Sequence, residues 1–189
     1  MRKQWKMKWV AVILILVCLG PCTGWAQEAR LTDVVVTNTK EDLLVYFTVA
    51  ECFNQEMRQA IDNGILTRFT FFVKLYQVRR FWWDRQIADL KVSHDIQYDN
   101  LKRVYRIHLH EKSTKPVEVE DFQEAKRLMA EIVGLRVTDL KKLQRGFHYR
   151  IKMMAELDKI RLPFYLHYVL FFLSLWDFET DWYTVDFRY

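Results

Sequence analysis

The chain is poor in the residues that break or cross-link a polypeptide, with five glycines, three prolines and three cysteines among 189 residues. Two of the cysteines, Cys18 and Cys22, lie in the first 26 residues, so Cys52 alone remains beyond them. A single cysteine cannot form an intrachain disulfide. Because Glu51 and Glu56 flank Cys52 and disfavour a thiolate, we expect a small buried residue rather than a reactive thiol.

The sequence also lacks the short motifs of several enzyme classes. It has no glycine-rich phosphate loop, no serine elbow and no Cys-x-x-Cys. Carboxylates are abundant, but a pair such as Asp84 and Asp89 does not identify a hydrolase, because that chemistry depends on a separation across a cleft. We therefore expect no catalytic residue and no cofactor, and an envelope hydrolase with an unrecognised site is the enzymatic alternative.

The first 26 residues have the three-part order of a secretory signal. Residues 1–9 carry four cations, residues 10–19 are an unbroken apolar run, and Gly24-Trp25-Ala26 places small residues where a signal peptidase cleaves. The apolar run is shorter than the roughly 20 residues of a membrane span. We expect export to the periplasm, with an uncleaved N-terminal anchor in the inner membrane as the alternative.

The formal charge of +5 comes mostly from this leader. Removing the leader leaves 25 basic and 24 acidic residues, so the exported part is almost neutral. A nearly neutral domain lacks the electrostatic footprint of a nucleic-acid-binding protein. We therefore do not expect the chain to bind nucleic acid.

Most of the remaining chain alternates apolar and polar residues with a period of two, which predicts half-buried strands. Asp99-Asn100 is a typical tight-turn pair between two of them. The predicted strands cover 30–38, 42–50, 65–80, 88–98, 101–110, 147–157 and 181–189.

Two segments have helical spacing instead. A helix is expected from Phe122 to Val133, with Asp121 as N-cap and Gly134 at its end, and a shorter one from 54 to 63. Many strands joined by short turns, with few helices, favour an all-β, mainly antiparallel β-sandwich that is immunoglobulin-like in general architecture. We expect it to form one domain over 27–189. A closed barrel is the alternative.

Several aromatic motifs give the chain a family resemblance. In order they are Phe81-Trp82-Trp83-Asp84, Tyr98-Asp99, Tyr105-Arg106, Ala155-Glu156-Leu157-Asp158 before Leu162-Pro163, and a Trp-containing last strand. This order resembles the bacterial domain-of-unknown-function family DUF4390 over about residues 29 to 189. The resemblance implies an exported or envelope-associated protein with no assigned activity. Members are often encoded beside a membrane sensor kinase of the nitrogen-regulation type, which implies a signalling partner.

Two aromatic segments are the candidate contact surfaces. Trp82 and Trp83, flanked by Arg80 and Arg85, combine the side chains that membrane and protein interfaces collect. As neighbours in a strand they would face opposite ways, one buried and one at the rim, and the alternative is that both are core aromatics at a hairpin end. The segment 163–176 is apolar all round, so it is either buried under the sheet or in contact with a membrane or partner. Its candidate contacts are Phe164, Phe171, Phe172 and Trp176.

His108 and His110 are the best metal candidates, because side chains two apart on a strand share a face. The candidates for a third ligand are Glu111, the next residue in the chain, and His148, which is distant in sequence. We therefore interpret the two histidines as solvated side chains and expect no metal.

These patterns lead to a functional expectation. The chain is expected to bind a protein partner of the envelope or a membrane surface, at the periplasmic face of the inner membrane. A purely structural envelope component is a further alternative, and the oligomeric state stays open.

Overall fold

The computed structural model describes residues 29–158 and 179–189. The predicted leader, residues 1–26, lies outside this part of the chain. So do the interface candidates Phe164, Phe171, Phe172 and Trp176. No helix among the described residues combines the length and apolar character needed to cross a membrane.

The described residues form strands and short helices in the following order. They are β1 (Arg30–Asn38), β2 (Asp42–Ala50), α1 (Gln55–Asp62), β3 (Thr67–Gln77), β4 (Arg85–Asp99), β5 (Val104–Leu109), β6 (Val117–Val119), α2 (Phe122–Ala130), β7 (Glu131–Asp139), β8 (His148–Leu157) and β9 (Tyr183–Arg188), with a 3-10 turn at Leu140–Lys142.

The strands form two sheets in which every pairing is antiparallel. One sheet has three strands in the order β1-β2-β7, and the other has six in the order β6-β5-β4-β3-β8-β9. The predicted mainly antiparallel β-sandwich is confirmed. Because β3 occupies the middle of the larger sheet, both long neighbours, β4 and β8, are aligned against it over most of their length.

The core follows from the two-residue alternation. On β3 the buried side chains Phe69, Phe71, Val73 and Leu75 all face the smaller sheet, and the Phe71 ring meets Phe47 of β2 edge-on at 5.9 Å between centroids. Burying a side chain of this size stabilises the fold by about 1.5–3 kcal/mol. The aromatic contact between β2 and β3 therefore joins the two sheets.

The helix predicted from Phe122 to Val133 is shorter in the structure. Asp121 caps it as predicted, since its carboxylate accepts from the Glu124 N–H, but the helix ends at Ala130 and the chain continues directly as β7. Gly134 is not a helix stop but lies within β7 at φ +66°, beside a register shift against β2. The β-branched run that begins at Ile132 pairs with β2, and this tertiary pairing overrides the helical spacing.

Two expectations about strand ends are also corrected. The strand predicted from 101 begins only at Val104, and Leu101 is 98 % exposed in a turn. The Asp99 carboxylate accepts from the N–H groups of Leu101 and Lys102, which closes that turn. The strand predicted over 65–80 ends at Gln77, so the following aromatic residues belong to a loop.

Strand directions give the sandwich two distinct ends. The Leu140 N–H donates to Glu41 O, and the Val78 N–H donates to His148 O. These two hydrogen bonds bring three loops together at one end of the sandwich. These loops are 39–41, 78–84 and 140–147. The first residue of β1 and the two described residues that flank 159–178 lie at the other end. At about 3.3 Å per residue, the 11 residues of β3 separate the ends by about 33 Å.

Candidate functional site

Three consecutive aromatic side chains stand in solvent at the loop between β3 and β4. Phe81 is 87 % exposed, Trp82 78 % and Trp83 91 %. The expectation that one indole is buried is wrong, as is its alternative of two core aromatics. Both expectations required a strand, whereas the strand ends four residues before Phe81. We call loop 78–84 the aromatic tip.

The base of the aromatic tip is held by hydrogen bonds. The Asp84 carboxylate accepts from the Arg79 N–H at 3.2 Å, which closes the loop, and lies 3.8 Å from the Arg150 guanidinium. Arg150 also donates to Asp186 at 2.7 Å, and this bond lowers the pKa of the Asp186 carboxyl and raises the pKa of Arg150. The one carboxylate of the tip is therefore directed toward the sheet, away from the indoles.

Several exposed cations flank the aromatic tip. Arg79, Arg80 and Arg85 are exposed, and none makes an ion pair within 4.0 Å among the described residues. The other two loops at this end add four more exposed cations that are likewise unpaired within residues 29–158 and 179–189. These cations are Lys40, Lys141, Lys142 and Arg145. The three loops together carry six cations and two carboxylates, Glu41 and Asp84, so this end of the sandwich has a net positive charge.

A second polar cluster occupies the outer face of the larger sheet near its opposite end. Arg68 and Asp95 face each other across β3 and β4 in a two-point ion pair, at 2.6 and 2.8 Å. His110 Nε2 lies 3.0 Å from the same carboxylate. Burial by itself would raise the pKa of Asp95, but the bonds from Arg68 and His110 outweigh it and the pKa lies below its usual range.

His94, which sequence reasoning missed, is fully buried between this cluster and the core. Its Nδ1 lies 3.0 Å from the carbonyl oxygen of Met129, and its Nε2 lies 3.1 Å from both carboxylate oxygens of Glu111. Burial would raise the pKa of Glu111, but the His94 bond outweighs it and lowers the pKa, so the carboxylate is ionised at neutral pH. Both ring nitrogens of His94 therefore have a hydrogen-bond partner, as a buried polar side chain requires.

A shallow pocket of about 320 Å³ opens beside these residues and is lined by His110, Glu111 and four neighbours: Arg68, Lys91, Val92 and Ser93. Arg68 and His110 are bonded to Asp95, Glu111 is bonded to His94, and the Lys91 ammonium lies 5.2 Å from the centre of the Phe72 ring. A binding pocket usually keeps a few convergent polar groups free for its ligand. The pocket therefore contains residue types found in hydrolase sites, but its histidine and its carboxylate are both bonded to other side chains.

The two weak metal candidates, His108 and His110, are not joined by a further ligand in a metal-binding arrangement among the described residues. The rings of His108 and His110 stack at 4.2 Å, and His108 Nε2 lies 3.1 Å from Ser113 O. Glu111 is bonded to His94, and His148 begins β8 at the far end of the sheet. Across the described part of the chain, no three His, Cys, Asp or Glu side chains are arranged to hold a metal ion.

The expectation for Cys52 agrees with the structure. Its side chain is buried, and its Sγ–H donates to Val49 O at 3.2 Å. Burial raises the pKa of the thiol to about 12, so a thiolate does not form at neutral pH.

The fold and its surfaces define a class of protein: an antiparallel β-sandwich with a projecting aromatic tip and a cationic end. The chain belongs to the DUF4390 family, because the model of that family, described as a domain of unknown function, matches residues 26–186. The resemblance noted in the sequence is confirmed. No curated protein and no solved structure matches the chain.

Proposed function

We propose that this chain is an exported, non-enzymatic binding module of the bacterial envelope, and that the aromatic tip is its contact surface. The observation that carries the proposal is the exposure of Phe81, Trp82 and Trp83, three consecutive aromatic residues beside arginines that make no ion pair among the described residues. Exposed apolar clusters of this kind mark interaction sites, because leaving them in water has no structural benefit. Aromatic and arginine side chains are also those that contribute most to binding energy.

The leader pattern supports a location at the periplasmic face of the inner membrane. The family neighbourhood makes a membrane sensor kinase one protein partner to test. The described residues on either side of 159–178 lie at the end opposite the aromatic tip, so we base the proposal on the tip alone.

Photo-cross-linking in cells tests the proposal directly. A photoreactive aromatic residue replaces Trp82 in the full chain, and a matched sample carries it at Leu101, which is even more exposed but lies in the turn at the other end. We expect reproducible adducts from position 82 and few from position 101. Equal labelling from both positions, or none from position 82, would refute the tip as the contact surface. An absence of any stable partner would favour a purely structural envelope component.

The polar pocket favours a second candidate, an envelope hydrolase. A pocket that brings His110 and Glu111 together is the arrangement such an enzyme requires, although both side chains are bonded to other groups. The test incubates the purified full chain with ester, glycoside and phosphodiester substrates, alongside the variants His110→Ala and Glu111→Gln. Turnover that both variants abolish would establish the hydrolase. Turnover at the background rate in all three samples is the result that the binding-module proposal predicts.

A further inference from the structure

The aromatic tip projects from the sandwich rather than lining a groove. Its three aromatic side chains are each more than three-quarters exposed, so they stand clear of the strands that hold them. Side chains of this type bury about 150–250 Å² each, so the three together offer about 450–750 Å². A stable protein interface buries about 800 Å² on each partner, so the tip alone is small for that purpose.

A membrane interface makes different demands, because it needs no matching shape. Indole and phenyl rings partition to the boundary between headgroups and acyl chains, where one part of the side chain is apolar and the other is wet. A projecting group of three rings suits this boundary. It inserts without requiring the rest of the sandwich to fit a partner's surface.

The charges at this end indicate which lipids would be bound. Arg79, Arg80 and Arg85 flank the three aromatic residues along the chain, and the tip's carboxylate, Asp84, is turned toward Arg150. The neighbouring loops add the unpaired cations Lys40, Lys141, Lys142 and Arg145. A cationic collar behind apolar rings complements anionic headgroups lying just outside the acyl region.

We infer that the aromatic tip docks onto an anionic lipid surface, with the three rings at the headgroup boundary and the arginines on lipid phosphates. This inference rests on the proposed function, since it names the partner of the same tip. A protein with an acidic surface is the competing partner, and the experiment separates the two.

The first measurement locates the contact. The full chain, with a photoreactive aromatic residue at position 82 or 101, is mixed with vesicles of phosphatidylcholine containing phosphatidylglycerol, and with pure phosphatidylcholine vesicles. We expect lipid adducts from position 82 on the anionic vesicles and few from position 101. Because the readout is local, vesicle binding by any other part of the full chain does not produce this pattern. Absence of lipid adducts from position 82 would overturn the inference.

The second measurement tests the charges. Each cation near an anionic surface contributes about fivefold to binding, so replacing Arg79, Arg80 and Arg85 with Gln should lower tip labelling on anionic vesicles by roughly a hundredfold at equal lipid concentration. A matched control replaces two exposed, unpaired cations elsewhere, Lys112→Gln and Lys115→Gln, and should leave the labelling unchanged. Equal labelling on neutral and anionic vesicles, or in the triple variant and the control, would contradict the role of charge.

The two proposals can fail separately. If position 82 captures a protein in cells but no lipid on vesicles, the tip is a contact surface and the lipid inference is wrong. If position 82 captures neither, the proposed function fails as well.

Discussion

The buried pair of His94 and Glu111 permits a prediction whose size follows from the structure. Glu111→Ala removes the carboxylate that lies 3.1 Å from Nε2 of a ring with no solvent exposure, and leaves that nitrogen buried without its hydrogen-bond partner. Leaving a buried polar group without its partner costs about 1–3 kcal/mol. In a domain of this size each kcal/mol lowers Tm by about 2–4 °C, so we expect Tm to fall by roughly 6 °C.

The assay is urea unfolding followed by circular dichroism, supported by thermal melts at neutral pH. The matched control is Glu118→Ala, because Glu118 is an exposed carboxylate that pairs with Lys102 and Arg106. Exposed pairs contribute about 1 kcal/mol or less. The double variant His94→Leu with Glu111→Ala should regain part of the loss, because it also removes the buried ring nitrogen that Glu111→Ala leaves without a partner. A Glu111→Ala variant as stable as the Glu118→Ala control would refute the stabilising role of the buried His94–Glu111 bond.

Three further predictions concern stability. The fold lowers the pKa of Asp95, so the ionised carboxylate stabilises the fold above the unfolded pKa of about 3.9, and this stabilisation is lost as the pH falls through the folded pKa. The difference in unfolding free energy between wild type and Asp95→Asn, measured by urea unfolding, should therefore shrink below about pH 4. Thr67 Oγ1 is buried and has no hydrogen-bond partner within the described ranges, so Thr67→Val should be neutral or raise the unfolding free energy by about 1 kcal/mol, and a loss above 1 kcal/mol would contradict this. Gly134→Ala should cost about 1–2 kcal/mol in the same assay, because φ is +66° and a new Cβ would lie 3.3 Å from the Tyr46 hydroxyl; an unchanged midpoint would count against the strain.

Much of the sandwich was predictable because its strands are half-buried and their side chains alternate. The alternation in β3 and β8 identified the inward-facing residues directly. The error at β7 has a clear physical origin: Ile132 and Val133 fit both a helical and a strand period, and pairing with β2 decides between them. β6 has three residues, which is too short to give a periodic signal.

The polar cluster was less accessible from the sequence, because its members come from distant positions. Met129 is 35 residues from His94, and Glu111 is 17 residues from it. One signal was present: His94 occupies the inward-facing parity of the apolar stripe that includes Val92 and Ile96. A histidine at a buried parity needs polar partners, and this requirement predicts a buried network without identifying its members.

The candidate residues of the aromatic tip were found from composition, but their orientation was not. Adjacent indoles face opposite ways only within a strand, and the chain leaves the sheet at Gln77, before it reaches Trp82 and Trp83. A seven-residue loop frees both indoles from that constraint, which is why the two are exposed together.

Oxidative footprinting of the aromatic tip in the native envelope tests the central claim most directly. Hydroxyl radicals oxidise exposed indoles, so Trp82 and Trp83 of the purified chain should react readily, with the less exposed Trp182 as an internal reference. The account predicts that oxidation of Trp82 and Trp83 falls several-fold relative to Trp182 when the protein is probed in intact cells. Equal oxidation of the two tip indoles in cells and in the purified protein would contradict it.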